Sequence, residues 1–148
     1  MIAFLAAAIA LTLAALSGLH AAWGFGSTWP EKDGKALARR VAGFRGVDRM
    51  PRPAACFFVA AGLAFAALVA LTAARLLPTS YPHWLVLTAL SAVAAVFTLR
   101  GLLAFTPQWR ERTPEEPFAT LDRRFYGPLC LVVGGGLTLI MFAQRMAG

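Results

Sequence analysis

Four stretches of this sequence carry no charged side chain: Met1 to Pro30, Pro53 to Ala74, Leu76 to Leu99 and Phe125 to Gln144. Each holds about the 20 residues that an α-helix needs to cross the hydrocarbon core of a bilayer. A soluble helix of that length keeps one polar face in water, because it buries only a stripe, and these runs have no such face. In lipid, every backbone polar group has to be bonded within its own helix. The expectation is an all-α polytopic membrane protein, a four-transmembrane-helix bundle forming a single membrane domain over 1–148. The spans are expected at about 2–24, 54–77, 83–105 and 125–145, with basic loops at 25–53 and 106–124.

A net charge of +7 could point to nucleic acid, so its position matters. Seven cations (Lys32, Lys35, Arg39, Arg40, Arg45, Arg49, Arg52) fall between the first and second spans, and four (Arg110, Arg112, Arg123, Arg124) between the third and fourth. Arg75 and Arg145 stand alone on the other side. Lysine and arginine mark cytoplasmic loops. Both basic loops are therefore expected inside a bacterial inner membrane, with the two termini and the Pro78 to Pro82 turn outside. The charge then records topology, and membrane lipid rather than nucleic acid is the expected partner. The first span lacks the positively charged leader of a secretory signal and is read as a mature helix.

Along the chain, polar residues are sparse enough to consider singly. Ser17, His20 and either Trp23 or Gly24 share a helical face near the inner end of the first span. His20 reads either as an interfacial histidine bonded to a neighbour or as a ligand-binding group, since ionisable side chains inside a span are costly and often functional. In the first loop Leu37, Val41 and Phe44 repeat at helical spacing among cations, which fits either a short helix on the membrane surface or a solvated basic loop. In the second span Gly62 and Ala66 form a small-x-x-x-small pair for helix packing.

Arg100, the one charge of the third span, either snorkels to lipid phosphate or turns inward to a carboxylate or an anionic ligand. The run Thr113-Pro114-Glu115-Glu116 has the form of a helix start, cut short by Pro117. Asp122 is expected near a helix N-terminus, where the dipole favours a carboxylate. The glycines at 134–136 read as helix packing, because no strand precedes them as a phosphate-binding loop requires.

This topology puts His20, Trp23, Cys56, Arg100, Asp122, Tyr126 and Cys130 at similar depth, near the cytoplasmic ends of their helices. The candidate ligand-binding set is His20, Trp23, Arg100, Asp122 and Tyr126. No metal site is expected, since closely spaced ligand pairs are missing, and two thiols on the reducing side should stay free. The cofactor is left unknown, with a haem on His20 as a further reading. His20 as an axial haem ligand would lack any attachment motif.

The pattern His20-x-x-Trp23-x-x-Gly26, the pair Trp29-Pro30, Arg100-Gly101, and above all Leu121-Asp122-Arg123-Arg124-x-Tyr126-x-Pro128-Leu129-Cys130 resemble an uncharacterised bacterial membrane family, domain of unknown function 3995. The resemblance covers nearly the whole chain and implies four transmembrane helices. It also implies a serine where this chain has Gly127, and it supplies no activity.

Three functions compete. The first is a non-enzymatic inner-membrane protein that binds a small amphipathic or anionic molecule at the inner leaflet, with His20, Arg100 and Asp122 as polar contacts and Trp23 and Tyr126 as walls. The second is a small transporter working as a homodimer, with His20 in place of the carboxylates the spans lack. The third, ranked last and leaving enzyme status open, is a lipid-modifying enzyme using His20 as base or Cys130 as nucleophile.

Overall fold

The computed structural model describes residues 1–146 and is all-helical over them. Four helices are long and apolar enough to cross a membrane: α1 (Ile2–Gly24), α3 (Pro53–Ala73), α4 (His83–Leu103) and the stretch Phe118–Met146. Between them lie α2 (Gly34–Val41) and α5 (Pro107–Arg112). The last span is composite, made of α6 (Phe118–Leu121), a π-helical turn (Asp122–Tyr126) and α7 (Gly127–Met146).

The bundle is two helix pairs. α1 lies along α3, and α4 lies along α7. Small residues make both contacts close, as expected where packing and not water expulsion drives association. Ser17 Oγ on α1 donates to the Ala60 carbonyl on α3 at 2.8 Å, and the Phe57 ring fills the space beside Gly24. On the other pair, a Cβ at Gly101 would stand 2.9 Å from the Gly127 carbonyl, and one at Gly134 would stand 2.5 Å from Thr98 Oγ1.

The glycine triplet divides its work. Gly134 seats α7 on α4, Gly136 faces Ile9 of α1, and Gly135 meets nothing. Gly62 does not pack within the chain. It is exposed while Ala66 is buried, so the expected small-residue pair is split between two faces.

All four spans meet in one apolar core: Ala6, Ile9, Ala10 and Leu13 of α1, Ala66, Ala67, Val69, Ala70 and Ala73 of α3, Leu90 and Ala94 of α4, and Val133, Leu137 and Ile140 of α7. These residues occupy the half of the bundle nearest the α3–α4 turn. Large side chains such as Phe4, Leu11, Phe58, Val96 and Val132 face outward, as a lipid-facing surface requires.

The opposite end carries the loops, and these are folded. The first loop forms a helix, α2, started by Asp33, whose side chain accepts from the Ala36 amide. Leu37 and Ala38 on α2 are buried, whereas Phe44 is exposed.

The second loop departs from expectation. Its helix begins not at Thr113 but at Thr106, whose side chain caps α5 with Pro107 in the first turn. Thr113 instead ends that helix and donates its hydroxyl to the Trp109 carbonyl. The last span starts at Phe118, seven residues before the uncharged run: Phe118 and Asp122 are buried in this added stretch, while Thr120, Arg123 and Arg124 stay exposed.

Candidate functional site

Arg100 sits near the end of α4, and Asp122 is the first residue of the π turn in the neighbouring span. The close approach of α4 to α7 at Gly101 and Gly127 brings them together. Arg100 Nη2 donates to Asp122 Oδ1 at 2.5 Å. Trp109 on α5 donates its indole N–H to the other carboxylate oxygen at 2.8 Å, and the guanidinium carbon lies 5.2 Å from the centre of the Trp109 ring. Arg100 therefore turns inward to a carboxylate and does not snorkel.

Asp122 is not a helix-terminal carboxylate as expected. The helix begins four residues earlier, and two side-chain donors take the place of the dipole. Its side chain is only 3% exposed, a burial tolerated because both oxygens are bonded. The pair is unsaturated in one respect: Arg100 Nη1 is buried and has no hydrogen-bond partner among the described residues. A hollow of about 320 Å³ opens beside Asp122, lined by Trp109, Thr113, Glu116 and Asp122 among others but not by Arg100.

The π turn shapes this corner. Its i→i+5 bonding ends with the Gly127 amide donating to the Asp122 carbonyl, and such turns recur at functional sites. A Cβ at Gly127 would fall 2.6 Å from the Ala104 Cβ. Glycine is thus required here by Ala104, in the place where the family resemblance implies serine.

Tyr126, one turn on, joins the site to the first loop. Its hydroxyl donates to the Arg40 carbonyl at 3.4 Å and its ring packs on Phe118. Arg40 is itself ion-paired to Glu31. A second clip lies alongside: the Glu115 amide donates to the Gly43 carbonyl, and its carboxylate accepts from the Gly46 amide at 2.9 Å, with Arg39 at 3.9 Å.

His20 and Trp23 form a different station. The His20 Nδ1–H donates to the Leu16 carbonyl at 2.8 Å, leaving Nε2 as the free ring nitrogen. Its ring lies 4.7 Å from that of Trp23, whose indole N–H donates to the Trp29 carbonyl. None of these contacts reaches Arg100, Asp122 or Tyr126. Cys56 is buried and Cys130 half-buried, and both are free thiols. Among the described residues, no three His, Cys, Asp or Glu side chains gather as a metal would need.

Sequence reading placed His20, Trp23, Arg100, Asp122 and Tyr126 in one cluster, of which the structure joins Arg100 directly to Asp122, and it missed Trp109, Glu115, Glu31 and Arg40. One signal could have found the carboxylates. A chain with 14 cations has only seven acidic residues, and Glu31, Glu115 and Asp122 are each bonded across an element boundary. Trp109 gave no comparable signal, because its partner lies 13 residues away across a bend.

No curated protein and no solved structure matches the chain. A family model described as a protein of unknown function, DUF3995, matches residues 3–137, a stretch that contains His20, Trp23, Arg100 and the whole Asp122 corner. By that match the chain belongs to the DUF3995 family, and its four apolar helices suit a multi-pass membrane protein.

Proposed function

We propose that this is a protein of the cytoplasmic membrane, its two basic loops inside, that binds a small amphipathic or anionic molecule at the Asp122 corner. The observation that carries the reading is the free nitrogen of Arg100. Nη2 and the ring face of the guanidinium are engaged, but Nη1 is out of water with nothing to bond. An unmet charged donor costs more than a neutral one, and a ligand oxygen reaching it would gain a charge-assisted bond without new desolvation. Trp109 is the apolar wall, since it lines the hollow beside Asp122, and Tyr126 holds the neighbouring loop through Arg40. His20 and Trp23 serve as a second contact point at the same end of the bundle, with His20 Nε2 as its acceptor.

The charge distribution supports the orientation, since 11 cations lie at this end of the bundle, nine in the segments that join the spans and Arg123 and Arg124 near the start of the last span. No contact favours the transporter or the enzyme.

The test is native mass spectrometry of the protein extracted in mild detergent. A retained small molecule is expected on the wild type, lost from Arg100→Lys, which keeps the charge but not the planar fork, and reduced in Trp109→Phe and His20→Ala. Equal retention by wild type and Arg100→Lys, with unchanged helicity, would remove Arg100 from the site.

A further inference from the structure

A second hollow, of about 530 Å³, lies on the flank of the Asp122 corner and is lined by Phe105, Arg110, Glu116, Ala119, Thr120, Arg123 and Arg124. Folding brings its three arginines together from α5 and the π turn. All are exposed, and none is in an ion pair among the described residues, as is also true of Lys35, Arg45 and Arg52 in the other loop. The one carboxylate of the rim, Glu116, is occupied by the Thr120 hydroxyl at 3.0 Å and the Thr120 amide at 3.3 Å. Three positive charges thus face the hollow against one negative.

Its depth is set by α4. A 21-residue helix rises roughly 30 Å, the thickness of the hydrocarbon core, so the residues just past Leu103 stand at headgroup level. Phe105 lines the hollow with the arginines, and Phe125 follows Arg124 in the chain; both are exposed. Apolar side chains below and unpaired guanidiniums above match an acyl chain and a phosphate, and the guanidinium fork bonds phosphate in two-point fashion.

We propose that Arg110, Arg123 and Arg124 form a binding site for the phosphate headgroup of an anionic phospholipid. The site rests on the membrane placement proposed above and not on a ligand at Asp122. It also differs from general attraction of basic loops to anionic lipid, which depends on the number of cations and little on their arrangement.

The experiment is a titration of the full chain in detergent with phosphatidylglycerol or phosphatidylcholine, counting bound lipid by native mass spectrometry. Two triple variants lose the same charge: R110Q/R123Q/R124Q at the hollow and K35Q/R45Q/R52Q in the other loop. The first should bind phosphatidylglycerol about tenfold more weakly than wild type, which corresponds to about 1.4 kcal/mol. The second should stay within about threefold, and phosphatidylcholine should bind weakly to all.

Equal weakening by both triples, or by neither, overturns the site, as does saturation by inorganic phosphate alone at the concentration that saturates with lipid. If the glutamine triple does not fold, R110K/R123K/R124K carries the test: it keeps the charge, and undiminished lipid binding would overturn the two-point recognition. The small molecule retained without added lipid is read separately in the same spectra, so its loss with phosphatidylglycerol binding intact, or the reverse, separates failure at the Asp122 corner from failure here.

Discussion

At the loop end of the bundle the Asp122 carboxylate joins three elements, its own π turn, α4 through Arg100 and α5 through Trp109. Removing it leaves Arg100, whose side chain is 32% exposed, without its carboxylate, which costs less than the roughly 3–5 kcal/mol of a fully buried pair because solvent reaches part of the guanidinium. Asp122→Ala should therefore lower the unfolding midpoint in detergent, while the double variant Arg100→Met with Asp122→Leu recovers most of the loss, since a well-packed apolar pair can replace a buried ion pair. A double variant no more stable than the single one would show that the pair acts through geometry rather than charge. Trp109→Phe removes one donor from the same carboxylate, and about 1–3 kcal/mol is expected. Gly43 is the second vulnerable residue. It has φ +65°, and a Cβ there would fall 2.1 Å from the Phe118 ring. Gly43→Ala should destabilise by more than the roughly 1–2 kcal/mol that a left-handed residue costs, with Phe118→Ala relieving the steric part only. Of these residues, Arg100 and Asp122 were legible in sequence because charges near apolar runs are conspicuous. Gly43 was not, since its partner is 75 positions away.

At the scale of elements, α1 and α3 end in the same way with different residues. Both close with a pair of backward bonds, Gly26 N–H to Trp23 and Ser27 N–H to Ala22 after α1, and Arg75 N–H to Thr72 and Leu76 N–H to Leu71 after α3. The turn needs a positive φ, found at Gly26 (φ +93°) and at Arg75 (φ +59°). Arg75→Gly should then stabilise the protein by about 1 kcal/mol, and Gly26→Ala should destabilise it by a similar amount. Thermal or denaturant unfolding of the two variants reads both signs, and a loss on Arg75→Gly would mean that the arginine side chain contributes more than its backbone costs. The end of α1 could be read from Gly26. The end of α3 could not, because an arginine gives no sign that it will turn left-handed. The same limit explains Thr113: its sequence context has the form of a helix start, but Thr106-Pro107 makes the same signal seven residues earlier.

For the whole molecule, the arrangement of charge makes a topological prediction. In a variant with Cys56 and Cys130 replaced by alanine, a single cysteine at Ser80 in the α3–α4 turn should react with a membrane-impermeant thiol reagent applied outside intact cells, and one at Gly46 should react only after the membrane is opened. The reverse pattern would invert the proposed orientation and carry the Asp122 corner to the other leaflet. The sequence by itself determined that this chain has four apolar helices, because an uncharged run of some 20 residues is decided by the local cost of polar groups in lipid. It determined the grouping of cations at one end for the same reason. Only the tertiary structure decided that α1 pairs with α3 and α4 with α7, that Gly62 faces outward while Gly134 and Gly136 face different neighbours, and that Arg100 meets Asp122 and Trp109 while His20 and Trp23 make their contacts elsewhere. The physical reason is that helices in lipid lack the solvent-facing stripe that reveals which side of a soluble helix is buried, so the inward face is chosen by shape and by a few hydrogen bonds between residues remote in sequence.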